Sequence, residues 1–214
     1  MDAIKLPLRI FAVDPATTVS GWALLELVSL DPVVVHVLKR GELDGSKLFR
    51  QRKEMATIFD RQFCVLDVLH ETYVSLIEEH RPDVVCSEGA FAAKHVSAAL
   101  AISLAIYQVR RAAQKVLGRD AFLIAPTISK KAWTGSGNAD KDAMRLVYQT
   151  RSPVIDLHDD PNVSEHEIDA IAHGYAYVCR DILGTVVQIS ALEVKRAKRE
   201  RAKLKEEAQK NKTG

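Results

Sequence analysis

Two apolar runs in this chain end in a carboxylate. Residues 10–13 run into Asp14 in "IFAVDPATTVSGWALLEL", and residues 84–87 run into Glu88 in "VVCSEGAF". A third segment, "SEHEIDAIAHGYAYV", begins at Ser164 and has helical spacing. There Asp169 shares a face with His166, three residues before it, and with Glu165, four before it. Glu167, two before it, points elsewhere. If this helix meets the two strand ends, three or four ligands converge: Asp14, Glu88 and Asp169, with His166 or the rival Glu165 as the fourth. Carboxylates packed together without a partner are costly to ionise. A divalent cation offsets that cost, and carboxylate-rich sites suit Mg²⁺ or Mn²⁺. Two such ions about 4 Å apart can activate a water and stabilise the leaving oxygen of a phosphodiester. Taken singly, each residue has a plainer reading: an acid after a strand caps a turn, and a histidine at a helix start lies on the surface. Convergence in space separates the two.

The elements that must position these residues follow from periodicity. Residues 8–14, 20–28 and 33–40 read as three strands with turn chemistry between them, and residues 83–88 and 121–125 as two more. A single long helix is expected from Lys47 to His80, where apolar residues recur at three- and four-residue steps until Arg81-Pro82. An Ala/Leu-rich helix is expected over 94–117, stopped by Gly118. "PTISKKAWTGSGNADK" reads as a loop, followed by a short helix over 141–149 and a polar loop over 153–161. Ser164 caps the next helix with Glu167 as its capping-box partner, and that helix runs to about Leu183. Strands and helices in this order imply a mixed α/β sheet with helices on both faces.

The chain of 214 residues, 47% apolar and 27% charged, suits a globular domain with an appendage. No apolar run reaches the roughly 18 residues that span a bilayer, and no signal peptide is expected. Cys64, Cys86 and Cys179 are scattered in apolar segments, which predicts reduced thiols and a cytoplasmic protein. The formal net charge of +2 is unevenly placed: residues 191–214 carry nine Lys/Arg against four Glu. The expected organisation is a domain over 1–184 and a charged, basic helical extension over 185–214. The extension fits a polyanion partner or a solvated helix.

The order and wording of four segments resemble RuvC-type Holliday junction resolvases of the ribonuclease H-like superfamily, over roughly residues 8–180. These are "AVDPATTVSGWAL", with Asp-Pro and a downstream Gly21-Trp22; "CSEGAF", with Phe91 three residues after Glu88; "ISKKAWTGSGNADKDAM", a Lys-rich stretch with Gly-x-Gly; and "HEIDAIAHGYAYV". The resemblance implies a ribonuclease H-like mixed five-stranded sheet. It also implies a homodimeric endonuclease that resolves four-way branched DNA by symmetric hydrolysis, with two Mg²⁺ ions per site and Mn²⁺ able to substitute. Asp14, Glu88 and Asp169 would hold the metals. His166 stands where many relatives have Asp and some have His. Localisation would be with the nucleoid, or in a host cytoplasm for a phage or mobile-element member. Ala16 departs from the small Gly or Ser usual after Asp-Pro, the region around 28–50 looks long, and the basic tail lies outside the resemblance.

Lys130, Lys131 and Lys141 cluster around "TGSG", where backbone N–H groups and lysines can approach phosphate, and Lys130 and Lys141 match basic positions of the resembled family. Phe91 would stack on an unpaired base at the crossover, and Lys94 and His95 would touch the backbone. Three other readings are weighed: a ribonuclease H-like nuclease on flaps or RNA–DNA hybrids, a catalytically silent junction-binding module, and a sugar-kinase-like ATPase. All three acids being present argues against silence, and 214 residues leave no room for a second nucleotide-binding lobe.

Overall fold

A computed structural model describes residues 4–50, 53–54, 60–89, 96–150, 154–158 and 161–185. Phe91, Lys94, His95 and the basic tail beyond residue 185 lie outside the described residues.

Six strands form one sheet: β1 (Leu8–Asp14), β2 (Val19–Leu30), β3 (Val33–Asp44), β4 (Val84–Glu88), β5 (Phe122–Ile124) and β6 (Val154–Asp156). Their order is β5-β4-β1-β2-β3-β6. The meander β1–β2–β3 is antiparallel, whereas β4 beside β1, β5 beside β4 and β6 beside β3 run parallel. The sheet is therefore mixed, as expected, but has six strands and not five. The extra strand is β6, within the segment read as a polar loop. Three residues are too few to show a period, and pairing with Val35–Val37 is what makes them a strand.

The alternation of β1 builds two cores. Ile10 and Ala12 face one side of the sheet, and Phe11 and Val13 the other, because successive strand side chains point to opposite faces. On the Phe11 side lie α2 (Arg61–His80) and α3 (Val96–Leu117). On the Ile10 side lies α6 (Glu165–Tyr177), whose Ile168, Ile171 and Tyr175 join the core. Gly174 lets α6 sit close: a Cβ there would stand 1.9 Å from Leu25 Cδ1 on β2. A π-helical turn, Val178–Ile182, ends α6.

Two further expectations change. The helix expected over 47–80 is described as α1 (Gly45–Arg50) and α2, not as one rod. Asp60 begins α2, its carboxylate accepting from the Gln62 N–H at 2.8 Å. The stretch read as a loop holds α4 (Pro126–Thr134), before α5 (Lys141–Thr150). Pro126 opens α4 in its first turn, where no N–H is missed, and Gly135 closes it with φ 80°. Trp133 drives the packing: it is buried, donates its indole N–H to the Met144 carbonyl at 3.0 Å, and meets Tyr175 edge-on.

The three cysteines are free and buried. Among the described residues no helix is long and apolar enough to cross a membrane.

Candidate metal centre

Asp14 closes β1 and Glu88 closes β4. Since these strands are parallel neighbours, both carboxylates leave the sheet at the same end. The end of β1 is tied down from behind. Ser20 Oγ on β2 donates to the Asp14 carbonyl at 2.9 Å and also lies 2.6 Å from the buried Tyr73 hydroxyl of α2.

The third contributor is the start of α6. The expected capping box is present: Glu167 N–H donates to Ser164 Oγ at 3.1 Å, and Ser164 N–H donates to Glu167 Oε2 at 2.7 Å. Glu167 is also held from β3. Arg40, with its side chain 1% exposed, donates to Glu167 Oε1 at 3.0 Å, to the Asn162 carbonyl at 3.0 Å and to Asp156 Oδ2 at 2.8 Å. Tyr148 donates to the same Asp156 oxygen. The face of α6 carrying His166 and Asp169 is thereby fixed over the strand ends.

His166 Nδ1 lies 2.9 Å from Asp14 Oδ2, so one expected candidate touches another directly. That hydrogen bond raises the His166 pKa, against a lowering from burial. Glu88 is pushed up to about 8, first by burial and then by the charges of Asp14 and Asp169, with Lys130 opposing. Asp169 is pushed up to about 6 by burial and Asp14, with Lys130, His166 and Lys141 opposing. Asp14, Glu88 and Asp169 thus share one electrostatic environment, and Lys130 on α4 faces it. Lys131 is exposed on the same helix. Lys141, the first residue of α5, is exposed and ion-paired with Glu165, so Glu165 engages a lysine at the rim.

One residue of the site is absent from the candidates drawn from spacing. His173, on α6, is 4% exposed and groups with Asp14 and Glu88, one potential ligand atom from each lying within 4.8 Å of the others. Burial pushes its pKa down to about 4, so the imidazole is neutral near pH 7. The signal was there: His166, Asp169 and His173 stand at i, i+3 and i+7 on one helical face. Two carboxylates and a neutral imidazole, with a proton held on Glu88 by burial and then by like charge, are a donor set that fits a divalent cation.

A mixed sheet with a β1–β2–β3 meander, helices on both faces and acids at the ends of β1 and β4 defines an α/β fold of the ribonuclease H-like kind. The family model for crossover junction endodeoxyribonuclease RuvC matches residues 10–176, and the chain belongs to that family. A relative from Parvibaculum lavamentivorans, named crossover junction endodeoxyribonuclease RuvC, is 28% identical over 79% of this chain and 85% of its own length. The structure of Thermus thermophilus RuvC in complex with Holliday junction substrate superposes with a TM-score of 0.65 at 19% identity, covering 83% of this chain and 97% of the other. The yeast mitochondrial Holliday junction resolvase Ydc2 has a TM-score of 0.54 at 9% identity, covering 82% of this chain and 81% of its own.

Proposed function

We propose that this chain resolves four-way DNA junctions by metal-dependent hydrolysis of phosphodiesters at the end of β1 and β4. The observation that carries this is the shared site of Asp14, Glu88 and Asp169 in a chain matching the family over residues 10–176. These three carboxylates would hold two Mg²⁺ ions, with Mn²⁺ as a substitute. When bound, such ions supply Lewis-acid stabilisation and an acidified water.

The chain's own groups do the rest. Glu88, held protonated by burial and by the neighbouring carboxylates, would serve as a ligand once ionised, its charge then balanced by the cation. Asp14 is oriented by Ser20 behind it and by His166 in front. His166, with a side chain 40% exposed, completes the ligand set or holds a proton beside the attacked phosphate. Lys130, Lys131 and Lys141 would contact DNA phosphates, and Phe91 would stack at the crossover. The products would be a 5′-phosphate and a 3′-hydroxyl.

Symmetric cleavage of a two-fold junction calls for two copies of the site, so we propose a homodimer. Its support is the exposed apolar face of α3, where Val96, Leu100 and Tyr107 are 85%, 58% and 52% exposed. The domain would end near residue 184, with the basic extension on the DNA arms. A cleavage panel of four-way, flap, RNA–DNA hybrid and linear substrates, with and without Mg²⁺, tests the assignment. Paired nicks confined to the four-way substrate are expected. Preference for flaps or hybrids would transfer the chain to another ribonuclease H-like activity.

A further inference from the structure

His173 stands where the apolar face of α6 turns toward the site. Its neighbours Ile171, Ala172, Gly174 and Ala176 are all buried and carry no polar side chain. A buried imidazole costs free energy unless its nitrogens are used. One of them is: His173 Nδ1 lies 2.6 Å from Ser129 Oγ on α4. The other, Nε2, stands 3.9 Å from Asp14 Oδ1, beyond hydrogen-bond reach. Ligands around one hexacoordinate cation, each about 2.1 Å from it, stand roughly 3–4.2 Å apart. The spacing of Nε2 and Oδ1 suits two atoms that share an ion and not a direct bond.

Ser129 gives the second half of the argument. A metal-binding histidine donates its other N–H to an acceptor, which fixes both tautomer and ring angle. With Nδ1–H donating to Ser129 Oγ, the lone pair of Nε2 faces Asp14 and Glu88.

We propose that His173 Nε2 is a direct nitrogen donor to the cation held by Asp14 and Glu88, with Ser129 as the positioning residue that presents it. This rests on reading the acid cluster as a metal site. A nitrogen donor adds no charge and shifts preference toward Mn²⁺ over Mg²⁺, since imidazole is the softer ligand.

The test is pulsed electron paramagnetic resonance of the full chain with substoichiometric Mn²⁺, read for ¹⁴N coupling. His166 is the other imidazole nearby, so the spectrum is recorded in H166D as well as in the unaltered chain. Coupling that persists in H166D and disappears when H173Q is added to H166D is the expected result, with circular dichroism melts confirming the fold. S129A is expected to weaken Mn²⁺ affinity by about tenfold. If H173Q does not fold, the H166D spectrum decides alone. Bound Mn²⁺ without ¹⁴N coupling in H166D overturns the proposal while leaving the metal site intact. Failure of the unaltered chain to bind Mn²⁺ at all overturns both this proposal and the reading beneath it.

Discussion

Gly21 lies directly against the main-chain carbonyl of His166: a Cβ at position 21 would stand 2.1 Å from that oxygen. Gly21 is also the register partner of Asp14 across β1 and β2. One position therefore sets how closely the start of α6 approaches the strand that carries the first acid. Backbone cannot yield as a side-chain tip can, so Gly21→Ala must displace α6. The expected cost is about 1–3 kcal/mol, or roughly 2–12 °C in Tm. Loss of cleavage should exceed what the lower Tm explains, because His166 and Asp169 move with the helix. Thermal melts paired with cleavage rates at a temperature well below both midpoints check this.

Glu88 gives a pH signature. Its folded pKa is about 8 against an ordinary 4.5. Between those values the native state holds a proton that the unfolded chain has released, so stability falls as pH rises through this window. Glu88→Gln removes the penalty. In EDTA, the variant should melt about 4 °C or more above the unaltered protein at pH 8, and close to it at pH 5. Saturating Mg²⁺ should reverse the order at pH 8, since only the carboxylate gains a cation. Melting curves at the two pH values, with EDTA or Mg²⁺, give all four comparisons.

Arg40 holds the capping glutamate of α6 and the end of β6 at once. Its side chain is 1% exposed, against 6% for Asp156 and 10% for Glu167. Arg40→Met would leave two nearly buried carboxylates without their shared cation. Breaking a buried pair in this way costs about 3–5 kcal/mol. Urea denaturation should show that loss as a lower midpoint, with a second effect on cleavage through the freed start of α6.

Lys130 and Lys141 differ in their state before DNA arrives. Lys130 is half-buried facing Glu88 and Asp169, whereas Lys141 is exposed and paired with Glu165. Lys130→Ala and Lys141→Ala should each weaken junction binding and reduce the slope of log affinity against log salt by about 1. Only Lys130→Ala should also raise the pKa of Glu88 further, by removing a charge that opposes the shift. Binding isotherms across a salt series measure the first effect, and the pH dependence of the metal-free melt measures the second.

Much of the scaffold was written locally. β1 and β4 are short apolar runs stopped by acids, and the capping box at Ser164 and Glu167 is a four-residue pattern, so each could be read without its surroundings. α4 could not. Its residues have mixed propensity, and what makes them a helix is Trp133 packing on Tyr175, 42 positions away in the chain. β6 likewise exists because β3 offers an edge and Arg40 an anchor for Asp156. The site shows the same division. Asp14 and Glu88 end strands visibly, but His173 gains meaning only from Ser129 and Asp14, which the fold brings to it from two other elements. The split of the expected long helix into α1 and α2 turns on Asp60, a capping residue embedded in a continuous apolar period.

The central claim is that carboxylates from distant parts of the chain jointly hold the cation that hydrolysis requires. A synthetic four-way junction, incubated with the unaltered protein and with Asp14→Asn, tests it most directly. The unaltered protein should leave paired nicks in Mg²⁺ and none in EDTA. Asp14→Asn should still shift the junction in a gel while cleaving at least about 10²-fold more slowly. Cleavage undiminished by EDTA, or by the loss of the Asp14 carboxylate, would contradict the account.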